Sequence, residues 1–152
     1  YQTSFVIPNL EREEKRVPIS TVVLSAQRVP LGDELHTVKK AEAAQSASPL
    51  VSGGEKLVPS VTRVFSKTRD MYVFLQAYER KSATFEPLIA FVSFYRGQDK
   101  VFETRPMAVT DGMDPKSKAV PLRFSVPLSQ FEPGRYDCQV TVLDPAASKV
   151  AT

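Results

Sequence analysis

The chain has 152 residues, enough for one domain that buries a substantial core without metal or disulfide staples. A single cysteine, Cys138, excludes an intrachain disulfide and a CxxC metal knuckle. The balance of 20 basic against 17 acidic residues leaves a net charge of only +3, whereas nucleic-acid and anionic-membrane partners call for clustered Lys and Arg. Twelve prolines against six glycines, with nine Phe and five Tyr, favour strands and irregular connections over long helices.

In chain order, Thr3 to Ile7 is short, apolar and β-branched and ends at Pro8-Asn9, so it reads as a strand. Glu11 to Arg16 mixes both charge signs as an exposed connection. Ile19 to Leu24 is a second strand candidate, apolar in part on both faces. From Asp33 to Ser52 the composition shifts to Ala, Ser, Lys, Glu and Gln with no apolar stripe, and Gly53-Gly54 closes the tract. This predicts residues 1–32 as N-terminal strands, either the end of a preceding module or part of this domain, 33–54 as a flexible linker or long loop, and 55–152 as the folded core. The opening on Tyr1, followed at once by a strand-like segment, reads as a piece of a longer protein.

After Gly54 the strands come thickly. Lys56 to Phe65 is one candidate, with Pro59 placing it at an edge, a bulge or a strand start because proline donates no ladder bond. Ser66 to Asp70 is a turn. Met71 to Tyr78 is apolar on both faces, the mark of a central strand covered on each side or carrying a partner surface. Glu79 to Pro87 connects to Leu88–Arg96, the most hydrophobic segment, and Gly97-Gln98-Asp99 turns it into a hairpin with Lys100 to Thr104. Arg105-Pro106 interrupts that strand and Met107 to Thr110 resumes it. Asp111 to Pro115 is a loop. Val120, Leu122, Phe124, Val126 and Leu128 then alternate with more polar neighbours, and Tyr136, Cys138, Val140 and Val142 do the same after Pro133-Gly134. Lys149 to Thr152 begins a further strand. Strands with turn signals every few residues and no crossover helices predict an all-β antiparallel sandwich.

Pro133, Gly134 and Tyr136 have the form of a tyrosine corner, in which the hydroxyl bonds back to backbone a few residues upstream. Cys138 then stands where immunoglobulin domains carry their second cysteine, with no first cysteine and no Trp in the chain. The expectation is an immunoglobulin-like or fibronectin type III-like sandwich without a disulfide.

The segments VPSVTRVF, VSFYRGQDKVFET and VPLSQFEPGRYDCQVTVLD, with IPNL and ISTVVLS before them, resemble the C-terminal β-rich region of bacterial secreted proteins related to von Willebrand factor A (VWFA) domains. The resemblance covers most of the chain apart from residues 33–52. It implies an exported protein, extracellular or periplasmic, in which this region accompanies an A-type domain. The DxSxS metal pattern of that domain is absent here, so none of its metal residues carries over.

Candidate chemistry is sparse, and no catalytic, cofactor or metal residue is assigned. His36, the sole histidine, sits in a polar tract without a nucleophile or orienting acid in any motif. Cys138 on the inward face reads as a small core hydrophobe. Asp111 and Asp114 are too few for Ca²⁺, and Glu11, Glu13 and Glu14 lie among Arg and Lys in a solvated loop. Among the aromatic residues, Tyr72, Phe74, Tyr78 and Tyr95 are the candidate interaction surface, with core packing as the competing explanation; stacking of nucleic acid with Arg63, Lys67 and Arg96 is the weaker one. The expected function is a non-catalytic interaction or spacer module that contacts a protein partner or a neighbouring domain, without membrane insertion; a carbohydrate-binding sandwich is the alternative.

Overall fold

The computed structural model describes residues 16–31, 48–78, 87–110, 112–114 and 117–152. Within them the alternating segments of the sequence are strands: β1 Val23–Pro30, β2 Val51–Ser52, β3 Glu55–Pro59, β4 Asp70–Tyr78, β5 Leu88–Arg96, β6 Asp99–Glu103, β7 Met107–Val109, β8 Ala119–Pro127, β9 Asp137–Asp144 and β10 Lys149–Ala151. They form two antiparallel sheets, one in the order β2-β3-β1-β4-β8 and the other β10-β9-β5-β6, with β7 also paired to β5. This is the expected all-β sandwich.

The core follows from the period of two. Met71, Val73, Leu75 and Ala77 on β4 and Val120, Leu122, Phe124 and Val126 on β8 face Leu88, Ala90, Val92 and Phe94 on β5 and Val140 and Val142 on β9 in one buried cluster. Tyr136 and Cys138 pack on its margin, so the inward face after Gly134 is the expected one. Two-residue loops close two of the hairpins: Gly53-Gly54 with φ of 59° and 78° between Ser52 and Glu55, and Gly97 with φ 65° at the first turn position between Arg96 and Asp99. Glycine takes that left-handed backbone without steric cost. At the break between β6 and β7, Thr104 holds β5 twice, its N–H donating to the Val92 carbonyl and its Oγ1 accepting from the Val92 N–H, both at 2.9 Å.

Three expectations change. β1 lies between β3 and β4 in the first sheet and β2 pairs with β3, so the division at residue 54 runs through a sheet rather than between a linker and a domain. The strand expected at Ile19 to Leu24 begins at Val23. Before it the chain still follows β4: Ile19 bridges Ala77, Ser20 N–H donates to Gln76 O at 2.8 Å and Tyr78 N–H to Pro18 O at 2.9 Å. The strand expected to reach Phe65 stops at Pro59, after which only Phe65 turns back to the core. Residues 3–7, 33–47 and 79–86 lie outside the described residues.

The tyrosine corner is present. Tyr136 Oη donates to the Glu132 carbonyl at 2.7 Å, and Phe131 stacks edge-on against Tyr136, Phe94 and Phe102 with centroids 5.4, 5.0 and 5.2 Å away. Such pairs add to the burial of the rings themselves. A Cβ at Gly134 would stand 3.1 Å from the guanidinium of the exposed Arg96, so a larger residue there asks that side chain to shift.

β8 is an outer strand with a blunted edge. Gln76 directs both its N–H and its C=O to Ser20 on the β1 side, so the β8 residues opposite the even positions of β4 turn their backbone outward. Pro121 and Pro127 stand at two of those positions, where a free N–H would otherwise invite a further strand.

Leu122→Ala, at a site with no solvent exposure, is expected to cost about 2–5 kcal/mol in urea unfolding, and Tyr136→Phe about 1 kcal/mol through the lost corner bond. Burial raises the Cys138 thiol from 9.0 to about 11. The thiol is therefore protonated in both states below pH 9, and between pH 9 and about 11 the unfolded chain ionises first and stability falls. Comparison of unfolding curves of the protein and Cys138→Ala across that window should show a shallower loss for the variant.

Candidate functional site

Beyond the alternation, β4 carries aromatic residues on its outer face, Tyr72, Phe74 and Tyr78, and the chain covers them. Phe74 is only 3% exposed although it stands outside the inter-sheet cluster, as do the buried Val51 and Leu57. Arg123 is its direct cross-strand partner on β8 and lays its guanidinium 5.2 Å over the ring. The same side chain donates from Nη2 to the carbonyls of Pro49, at 2.7 Å, and Val51, at 3.4 Å. Arg123 thus joins the two edges of a five-stranded sheet, β8 at one end and β2 at the other, across its outer side.

The bend that permits this lies in β1. Its register shifts between Ser25 and Gln27, where Ser25 Oγ donates to Gln27 O at 2.8 Å and accepts from Gln27 N–H at 3.1 Å. Before this bulge β1 pairs with β4 and after it only with β3, so the second half of β1 leaves the plane of the sheet with the β2–β3 hairpin. Arg28, in that second half, places its guanidinium 4.0 Å over the Tyr72 ring and 3.5 Å from the Glu55 carboxylate. The result is a cleft of about 140 Å³ lined by Arg28, Leu50, Ser52, Glu55, Leu57, Tyr72, Val73, Arg123 and Phe124. A broader depression of about 610 Å³ shares Arg28, Glu55 and Tyr72 with it and extends to Arg69 and Asp70. Arg28 and Arg123 line the same cleft, and burial and then the like charge of Arg28 lower the Arg123 pKa.

The four aromatic residues of the candidate surface do not form one platform. Tyr72 is half-buried under Arg28, Phe74 is buried, and Tyr78 is half-buried with its hydroxyl donating to Gln76 Oε1 at 3.4 Å. Tyr95 is on β5 in the other sheet, next to the inward Phe94 and therefore on that sheet's outer side. The guanidinium groups and Glu55 were missed in the sequence because nothing local joins positions 28, 55 and 123.

Elsewhere, Ser93 is buried and its Oγ donates to Glu103 Oε2 at 2.7 Å, an oxygen that also accepts from Lys100 Nζ at 2.9 Å. Those hydrogen bonds, Lys100 foremost, hold the Glu103 carboxyl below its ordinary pKa, which makes it a weak base for the Ser93 proton. Asp114 accepts from Ser117 Oγ at 2.7 Å, while Asp111, His36, Glu11, Glu13 and Glu14 lie outside the described residues. Among the described residues no three His, Cys, Asp or Glu gather as a metal site, and no helix is long and apolar enough to cross a membrane. The β3–β4 loop exposes Val61 at 94% and Val64 at 77%, around Arg63 with φ 54°. No protein-family model, curated protein or solved structure matches the chain.

Arg123→Ala removes the tie between β8 and β2 and uncovers Phe74. Amide exchange at Val51 and Leu57 is expected to accelerate at least tenfold, with much smaller changes at Val92 and Val142 in the main core.

Proposed function

We propose that the chain is a non-catalytic recognition module of an exported bacterial multidomain protein, related to immunoglobulin-like sandwiches and accompanying a von Willebrand A-type domain. One observation carries the recognition reading: a two-part groove on the outer side of the first sheet brings two guanidinium groups, a carboxylate and an aromatic ring to one surface. Polar groups converging beside apolar walls are what fixes a ligand's orientation and selects it. The tyrosine corner between β8 and β9 supports the immunoglobulin-like relationship, since it stands where the chain crosses between the two sheets. The exported location and the A-type neighbour rest on the sequence resemblance.

A carbohydrate-binding role is the second reading. It draws on Phe91 and Tyr95, both half-buried and on the same side of β5.

Backbone amide shifts of the labelled domain separate the two. Titration with a set of short extended peptides is expected to move Arg28, Leu57, Tyr72 and Arg123, and titration with a cello- or chito-oligosaccharide is expected to leave the protein unchanged. Shifts confined to Phe91, Tyr95 and their neighbours on addition of the sugar would reverse the order of the two readings.

A further inference from the structure

The charge and size of the groove restrict what it can hold. Arg123 has five donors. Among the described residues its acceptors are two backbone carbonyls, both served by Nη2, so Nε and Nη1 have no acceptor among them. Arg28 shares Glu55 with solvent, at 3.5 Å and with both side chains more than 40% exposed. Two cations and one carboxylate therefore meet in the cleft, leaving a local excess of one positive charge beside the apolar walls of Leu57 and Tyr72.

The volume narrows the choice. A cleft of about 140 Å³ is well below the roughly 300–1,000 Å³ typical of small-molecule sites, and suits one side chain rather than a whole metabolite. The adjoining depression of about 610 Å³ has Arg28, Glu55 and Tyr72 as its shared wall, which gives the residues flanking that side chain somewhere to lie. We propose that the cleft between Arg28 and Arg123 receives the carboxylate of a Glu or Asp side chain presented by an extended peptide segment of a partner protein. The Arg123 donors that the hairpin carbonyls do not take, on Nε and Nη1, offer the carboxylate charge-assisted hydrogen bonds. Glu55 is a built-in competitor: it occupies Arg28 when no ligand is present and sets a ceiling on affinity. This inference rests on the groove being the recognition surface.

The test uses the domain with two peptides, Ac-Val-Thr-Glu-Val-Thr-NH₂ and its Gln counterpart, read by amide and Arg123 Nε shifts. The Glu peptide is expected to bind at least about fivefold more tightly than the Gln peptide and to weaken in 0.5 M NaCl by screening. Glu55→Gln, an exposed substitution, is expected to tighten the Glu peptide about threefold relative to the Gln peptide. Equal shifts from both peptides would overturn the carboxylate assignment while leaving the groove as the recognition surface. Shifts from neither peptide at Arg28, Leu57, Tyr72 and Arg123 would remove the groove reading itself. Unchanged or weaker Glu-peptide binding to Glu55→Gln would place the carboxylate away from Arg28 and overturn the proposal.

Discussion

Two layers of extended backbone exclude water from the side chains between them, and every other feature is arranged around that exclusion. Leu75 and Leu122 have no solvent exposure, and neither do Val92 and Val142 on the facing sheet. Each buried aliphatic side chain contributes on the order of 2 kcal/mol relative to exposure, so a few such rows decide whether the chain folds. Strict alternation along β4, β5, β8 and β9 follows, because a slip of one residue would turn an entire apolar row to solvent. The aromatic group under the corner closes one end of this interior, with Tyr136 tied to the backbone it packs against.

The outer side of the first sheet obeys a different balance. Val51, Leu57 and Phe74 are buried there without a second sheet above them. Instead the chain folds its own hairpin out of plane at the Ser25–Gln27 bulge and fastens it with Arg123. A guanidinium is well matched to such a place, since its flat face covers an aromatic ring while its rim still donates hydrogen bonds. The cover and the groove are consequently one construction, and the arginine that holds the hairpin also supplies the groove's charge.

Much of this was legible from period and punctuation. β5 and its turn at Gly97-Gln98 stand where the apolar run and the glycine place them, and the corner is written in Pro133, Gly134 and Tyr136. β4 was readable as either covered on each side or carrying a partner surface, because both its faces are apolar. What covers it was not, since Arg123 and Leu57 lie 49 and 17 residues from Phe74 and no short-range pattern joins them. The same limit explains the early strands. Apolar content placed a strand at Ile19 to Leu24, but tertiary pairing with β3 and β4 moved it to Val23–Pro30 and drew β2 into the sheet. Tyr95 was grouped with Tyr72 by residue type, and the register of β5 puts it on the opposite side of the molecule.

The prolines on the free margin of β8 have a meaning beyond this one fold. An edge missing two of its hydrogen-bond donors cannot complete a ladder with a further strand, so the sheet ends where β8 ends even when another chain is pressed against it.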